Sequence, residues 1–482
     1  MSNPTRREFL KAVGYVTASA GASSLFPGCA TVTPETAAKR KKPNIIFILA
    51  DDLGYGDLGC YGQKQIKTNN LDRMAAEGMR FTQHYAGSTV CAPSRCVLLT
   101  GLHTGHCTVR ANSPALMKPG EITVAKILKY AGYITAAIGK WGVGHPPPGD
   151  PARNGFDYFF GYLSMVHAHN YYPEFLWRNE RKVKLRNVVE YTNRGYAKGV
   201  GGVSTNKLEY SHDLLTKEAL EFVEENKDGP FLLYLPYTIP HANNQAGREG
   251  MEVPDYGIYK DKDWPEPEKG KAAMITRMDR DIGKLLAKLK VLGIDRSTLV
   301  MFSSDNGPHK EGGVAPDFFD SNGPLRGIKR DLYEGGIRVP LIARWPGKIR
   351  PGSVSGHVSA FWDFLPTCVE LAGLTLPEDI DGVSMVPTLL GRPYGQKKHK
   401  FLYWEFHERG GKQAVRMGDW KAVRLGWHKN PDSPLELYNL KDDIGEKHNI
   451  TAQHPVAIAK IEVYLKTART DSPKRPIGEK QK

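Results

Sequence analysis

Cys91-Ala92-Pro93-Ser94-Arg95 is an unusual run: a cysteine, a proline two residues on and an arginine two further. Cys91 is the candidate nucleophile position. The same five residues also read as a turn entering a helix, with Pro93 as the first helical residue. Two other short runs carry hard oxygen donors. Asp51-Asp52 follows the apolar run Asn44 to Ala50, and Asp305-Asn306-Gly307 follows Leu299 to Ser303. In open α/β sheets, sites form at the carboxyl ends of strands, so two such ends bring three carboxylates and an amide together. That donor set suits Ca²⁺, with Mg²⁺ as the alternative, rather than zinc. Separately, each run is also an Asx turn capping a helix.

The elements that must position these residues alternate. Asn44 to Ala50 is continuously apolar between Pro43 and Asp51, as in a strand buried on both faces. Helices are predicted near Leu71–Glu77, Ile122–Tyr130, Asp213–Glu225 and Lys271–Leu292, and strands at Tyr133–Ile138, Phe231–Leu235 and Thr298–Ser303. Strands alternating with helices predict an α/β fold: a large, mixed, mostly parallel sheet sandwiched by helices. From Gly356 onward the pattern changes to short alternating runs, Gln413–Met417 and Trp420–Leu425, then a helix near Val456–Thr467. This predicts a smaller C-terminal antiparallel sheet plus helix. The expected organisation is residues 1–42 as an export signal and linker, 43–355 as the catalytic domain and 356–482 as the smaller subdomain.

The chain has 482 residues, 40% hydrophobic and 24% charged, with a formal net charge of +14. That balance suits an anionic partner, but no nucleic-acid module is present and part of the excess sits in tails such as Lys474-Arg475. No run beyond the first thirty residues approaches the ~18 apolar residues that span a membrane. The six cysteines show no CxxC or zinc-type spacing; Cys96 and Cys107 read as a pair or as free thiols. Arg6-Arg7-Glu8-Phe9-Leu10-Lys11 and the Ala/Gly/Ser run behind it resemble a twin-arginine export signal. Phe26-Pro27-Gly28-Cys29-Ala30 resembles a lipoprotein cleavage box, with a lipid anchor at Cys29. The expectation is a bacterial protein sent to the periplasm or outer surface; the alternative is a disordered basic tail.

Taken together, the chain resembles the type I sulfatases from about Pro43 to about Asn449. The resemblance rests on Asp51-Asp52-Leu53-Gly54-Tyr55-Gly56-Asp57, Cys91 to Arg95, Leu99-Thr100-Gly101, Gly139-Lys140-Trp141 and Pro240-His241. It continues through Ser304-Asp305-Asn306-Gly307, Leu325 to Lys329, Tyr333 to Pro340, and Leu437-Tyr438-Asn439-Leu440 with Asp442 and Glu446. It implies an alkaline-phosphatase-like fold. It implies that a maturation enzyme oxidises Cys91 to formylglycine, and that Asp51, Asp52, Asp305, Asn306 and the modified Cys91 bind Ca²⁺. Arg95 is then placed by the aldehyde hydrate, and Lys140, His241 and Lys329 by the sulfate.

The chemistry implied is hydrolysis of a sulfate monoester. Cations neutralise the sulfate oxygens and the charge that builds on transfer. One hydroxyl of the hydrate attacks sulfur and displaces an alcohol, with His241, or Lys329 with it, as proton donor. The second hydroxyl then loses its proton, and sulfate leaves as the aldehyde re-forms. One departure stands out: many members carry a histidine after Gly-Lys-Trp, and here the residue is Gly142. His145 is a candidate replacement, or a surface-loop residue, and Gly142 could widen the pocket instead.

His167, His169, Asn170 and Tyr171, with His145, are the candidate substrate contacts, since tyrosines stack on sugars and His and Asn bond to hydroxyls. The alternative is an aromatic loop packed over the core. A sulfated poly- or oligosaccharide, of galactose or N-acetylgalactosamine type, is the expected substrate. The competing readings are a phosphate or phosphonate ester hydrolase of the same superfamily and a non-catalytic glycan-binding protein.

Overall fold

The computed structural model describes residues 42–112, 116–144, 149–193 and 195–472. The export signal, Cys29 and His145 lie outside the described residues.

Strands are numbered in chain order: β1 Asn44–Ala50, β2 Met79–Tyr85, β3 Ile134–Lys140, β4 Tyr158–Tyr162, β5 Phe175–Arg178, β6 Arg181–Lys184, β7 Val188–Tyr191, β8 Gly202–Asn206, β9 Phe231–Pro236, β10 Thr298–Ser304, β11 Arg338–Arg344, β12 Ser353–Ser355 and β13 Ser359–Ala360. The large sheet runs β12-β2-β11-β10-β1-β9-β3-β4-β5-β6, with β13 also on β2, while β7 and β8 form a separate ribbon. Its centre, β10-β1-β9-β3-β4, is parallel. The flanks β10-β11-β2 and β4-β5-β6 are antiparallel.

The unbroken apolarity of β1 has a direct cause. Ile45, Phe47 and Leu49 enter the core on one face of the sheet, and Ile46, Ile48 and Ala50 enter the core on the other. A strand with no wet face has no polar positions to alternate. Helices Ser211–Glu225 and Glu266–Val291 contribute Leu215, Phe222, Ile275 and Ile282 to the second core, and helices Cys91–Thr100 and Phe364–Leu371 lie in the first.

The small sheet is β14 Leu402–Phe406, β15 Lys412–Met417, β16 Trp420–Leu425 and β17 Leu435–Asn439, fully antiparallel. Alternation splits its residues. Tyr403, Val415 and Leu437 pack with Ile461 and Leu465 of the helix Pro455–Thr467, whereas Trp404, Ala414 and Val423 join the main core. Before this sheet, residues 359–371 belong to the large layer: β13 pairs with β2, and the helix Phe364–Leu371 packs on the helices Cys91–Thr100 and Val124–Tyr130. Among the described residues, no helix is long and apolar enough to cross a membrane.

Candidate active site

Register in the sheet builds the site. Ala50 pairs with Ser304 across β1 and β10, so Asp51-Asp52 and Asp305-Asn306 leave two adjacent parallel strands at the same level. β9 lies between β1 and β3, so the turn after Pro236 that carries His241 and the end of β3 that carries Lys140 arrive beside them. Asp52 holds a left-handed backbone, φ 65°, which is strained for a residue with a Cβ and turns its side chain into this corner.

Cys91 enters from the helix Cys91–Thr100, every residue of which is buried. The helix starts at Cys91, not at Pro93; a proline third in the first turn removes only an N–H that has no intrahelical acceptor. Another of these orphan donors, Ala92 N–H, bonds to Asn112 Oδ1 at 3.1 Å. Cys91 Sγ lies 3.2 Å from Asp51 Oδ1 and 4.0 Å from Asp52 Oδ1. Burial first, then the Asp305 and Asp51 charges, push the Cys91 thiol well above its usual range. An unmodified thiol at this place is therefore protonated and a poor nucleophile.

Cations ring the carboxylates. Arg95 Nε and Nη2 donate to Asp305 Oδ2 at 3.1 and 2.7 Å, and its Nη1 donates to the Lys140 carbonyl at 2.7 Å. Lys140 Nζ is 2.6 Å from Asp51 Oδ2, and Lys329 Nζ is 2.6 Å from Asp52 Oδ2. Lys329 also donates to His241 Nε2 at 3.1 Å and to Glu311 Oε2 at 3.3 Å. His241 Nδ1 meets the Ala242 carbonyl at 2.7 Å, which assigns the ring proton to Nδ1 and leaves Nε2 as an acceptor. Burial, then the Lys329 charge, hold His241 well below its usual range, so it is neutral. The expected proton donor His241 is thus an acceptor in this geometry, and the proton sits on Lys329.

The oxygen cluster fits a divalent cation. Ligand atoms of Asp51, Asp52, Cys91 and His241 lie within 4.8 Å of one another. Asn306 Nδ2 donates to Asp52 Oδ1 at 2.7 Å, while its Oδ1 is buried without a partner among the described residues. A buried amide oxygen with no donor is costly, and a cation satisfies it. Burial, then the Asp51 charge, push the Asp305 carboxyl up to about 7 against the opposing pull of Arg95. Three buried carboxylates repel one another, and a hard cation between them removes that repulsion.

The histidine segment divides. His169 stacks on His241, with centroids 4.7 Å apart and planes 14° apart, and its Nδ1 meets Gln245 Oε1 at 3.3 Å. His167 packs edge-on against Tyr162 and against the Phe175 ring at 4.5 Å. Asn170 and Tyr171 correct the sequence expectation. Asn170 is buried, its Oδ1 accepting from Tyr172 N at 2.9 Å and Ser204 Oγ at 3.2 Å. Tyr171 is fully buried, and its hydroxyl donates to the His241 carbonyl. Neither side chain is open to a sugar; Tyr171 holds the turn that carries His241, and Asn170 ties its own loop to Tyr172 and Ser204. Gly142 has φ 73°, and a Cβ there would stand 3.1 Å from Met165 Cγ and 3.7 Å from Arg95 Cδ. The position faces the site wall, and Met165 occupies the space beside it.

Several neighbours were not anticipated from sequence. Glu311 bridges Lys329 and Arg330, at 3.3 and 2.6 Å. Buried His309 donates from Nε2 to the Pro240 carbonyl at 3.0 Å and accepts from Glu311 N at Nδ1. Their position in the loop after β10, which already carries Asp305, was the available signal. Asn112 and Gln245 carried none. Cys96 and Cys107 are free, buried thiols.

The comparisons agree with this site. The Sulfatase family model matches residues 43–374, and the model described as "N-sulphoglucosamine sulphohydrolase, C-terminal" matches residues 328–471. The chain is 34% identical over 408 residues to N-acetylgalactosamine-6-sulfatase of Mus musculus, covering 81% of this chain and 74% of that protein. It is 30% identical over 525 residues to N-acetylgalactosamine-6-O-sulfatase of Bacteroides thetaiotaomicron, covering 93% and 97%. The crystal structure of Ps i-CgsB in complex with k-i-k-neocarrahexaose is similar at 29% identity and TM-score 0.73, covering 89% of this chain and 94% of that one. Matched by that family model over most of its length, and 30% or more identical to sulfatases over more than four-fifths of its length, the chain belongs to the sulfatase family and is a sulfuric ester hydrolase.

Proposed function

We propose that this chain hydrolyses sulfate monoesters on a carbohydrate, with Cys91 converted to formylglycine and Ca²⁺ held by Asp51, Asp52, Asp305 and Asn306. The observation that carries the reading is the seat of Cys91: buried at a helix start, 3.2 Å from Asp51, where its own thiol is driven to the protonated form. Conversion to an aldehyde exchanges sulfur for oxygen and supplies a hydrate whose hydroxyls deprotonate toward the carboxylates. Ca²⁺, when bound, supplies charge against the sulfate oxygens and lowers the cost of deprotonating a neighbouring hydroxyl.

The remaining work falls to side chains. Arg95 holds Asp305 in one orientation through two bonds to the same oxygen. Lys140 and Lys329 place two ammonium groups where a sulfuryl group gathers charge, and their burial strengthens them. Lys329 Nζ carries the proton that the leaving oxygen needs, and His241 Nε2 orients that ammonium. His169, stacked on His241, forms the wall on the leaving-group side.

Two of the relatives named above act on N-acetylgalactosamine 6-sulfate by their names, which supports a galactose- or N-acetylgalactosamine-type sulfate as substrate. Arg6-Arg7 and the run after them support export by the twin-arginine route, with lipid attachment at Cys29 as its variant. A cellular maturation enzyme is required for the aldehyde. The test joins mass analysis of the peptide holding residue 91 to desulfation of a defined oligosaccharide panel. Wild type should show the aldehyde and release sulfate, and Cys91→Ala should fold and release none. Full sulfatase activity in Cys91→Ala would falsify the mechanism. Faster turnover of 4-nitrophenyl phosphate than of the sulfate would favour the ester-hydrolase alternative.

A further inference from the structure

The large sheet ends in the hairpin of β5 and β6, and one face of that hairpin is not explained by the site above. Cross-strand register pairs Phe175 with Lys184 and Trp177 with Lys182. These four side chains share a face, since residues two apart on a strand point the same way. On the opposite face Leu176 and Val183 turn into the core. Phe175 and Trp177 are partly open, and Lys182 and Lys184 are exposed. Lys182 Nζ lies 4.1 Å from the Phe175 ring centre and 5.5 Å from that of Trp177. No carboxylate among the described residues is within ion-pair distance of Lys182 or Lys184. Lysines on an edge strand often serve only to block strand pairing.

What sets this hairpin apart is its connection to the site. The Trp177 ring meets Phe175 edge-on at 5.9 Å, and Phe175 packs on His167 at 4.5 Å. His167 and His169 share one short helical turn, and His169 stacks on His241. A chain of ring contacts therefore runs from the sheet edge, where partly open Phe175 and Trp177 lie beside Lys182 and Lys184, through the buried rings of His167 and His169 to the sulfate-handling corner. Ring faces bind sugar rings, and free ammonium groups bind sulfate.

We infer that this face of the β5–β6 hairpin is a remote subsite for a polyanionic saccharide. The enzyme's substrate is then a sulfated chain of several sugars, whose further sulfates sit on Lys182 and Lys184 while one sulfate occupies the catalytic corner. This rests on the sulfatase reading and specifies its substrate class.

The test compares Lys182→Ala/Lys184→Ala and, separately, Trp177→Ala with wild type. The substrates are 4-nitrophenyl sulfate, a monosulfated galactose and a multiply sulfated galactan hexasaccharide. Turnover of 4-nitrophenyl sulfate should be unchanged in the lysine variant, which shows that the fold and the corner are intact. Exposed ion pairs are each worth roughly a twofold to threefold change, so KM for the hexasaccharide should rise roughly fivefold at low ionic strength. That difference should shrink as salt is raised. Should Trp177→Ala fail to fold, the lysine variant alone carries the test. Equal hexasaccharide KM in wild type and the lysine variant, or no wild-type preference for the hexasaccharide over monosulfated galactose, overturns the inference and leaves the sulfatase reading standing. If mature wild type turns over none of the three, the underlying reading fails and this inference with it.

Discussion

Arg95→Lys isolates what a planar guanidinium contributes beyond charge. Arg95 is fully buried and makes three hydrogen bonds, two to Asp305 Oδ2 and one to the Lys140 carbonyl, and its Nη2 also lies 3.5 Å from Asp51 Oδ2. A lysine keeps the charge but presents a single point, so it satisfies one of these directions. The variant loses one hydrogen bond to a carboxylate, about 1.5–3 kcal/mol, and one to a carbonyl, about 1 kcal/mol. The expected loss of stability is therefore roughly 2.5–4 kcal/mol in urea unfolding. Arg95→Ala should cost about 3–5 kcal/mol, because Asp305 is then a buried charge without its partner. Activity should fall further than stability implies. Asp305 accepts the Asp52 backbone N–H at its other oxygen, Oδ1, at 3.1 Å, so a rotated Asp305 disturbs both halves of the acidic corner. A preorganised donor of this type is worth about 10²–10³ in rate. The assays are unfolding midpoints and kcat/KM for 4-nitrophenyl sulfate on samples with equal aldehyde content. An Arg95→Lys protein within about 0.5 kcal/mol of wild type, with kcat/KM within threefold, would refute the argument that fork geometry matters here.

Three further outcomes are expected. Chelation of wild type should lower both activity and the unfolding midpoint, and Ca²⁺ at a hundredfold over its Kd should restore about 2.7 kcal/mol; a chelator-insensitive midpoint would count against the cation site. Gly142→Ala should cost about 1 kcal/mol by calorimetry, because its backbone is left-handed, yet retain most activity, since the new methyl meets only the unbranched Met165 side chain, at Cγ and Sδ, and the Arg95 stem. Glu405 titrates in the acid range: burial would raise its carboxyl, but His407, Arg110 and Arg469 together hold it well below the usual range. That stabilisation is complete above the unfolded value of about 4.3 and is lost as pH falls toward the folded value, so wild type should lose stability steeply below about pH 4. Glu405→Gln should be less stable at pH 7 and show a shallower acid limb; parallel limbs would contradict the assignment.

Local chemistry was legible in the chain because it is written in residue types and order. The run from Asn44 to Ala50 is apolar at every position only because both faces are covered, and that reading required no coordinates. The hard donors Asp51, Asp52, Asp305 and Asn306 and the run from Cys91 to Arg95 stood out in the same way, whereas the lysines at 140 and 329 were marked only by the family resemblance. Distances and directions were not legible. Asp52 and Asp305, 253 positions apart in the chain, close to 3.1 Å only through the parallel register of β1 on β10. Tyr171 reads as a sugar platform by type, yet a rotation into the core makes it a support for the His241 turn. Glu311 and His309 had no motif to mark them and matter only because the loop after β10 folds back on Lys329 and Pro240. The location of the proton, on Lys329 rather than His241, follows from one carbonyl contact and from burial. Residue identity sets which reactions are open to this chain; hydrogen-bond partners and desolvation, which exist only after folding, decide which group performs each step.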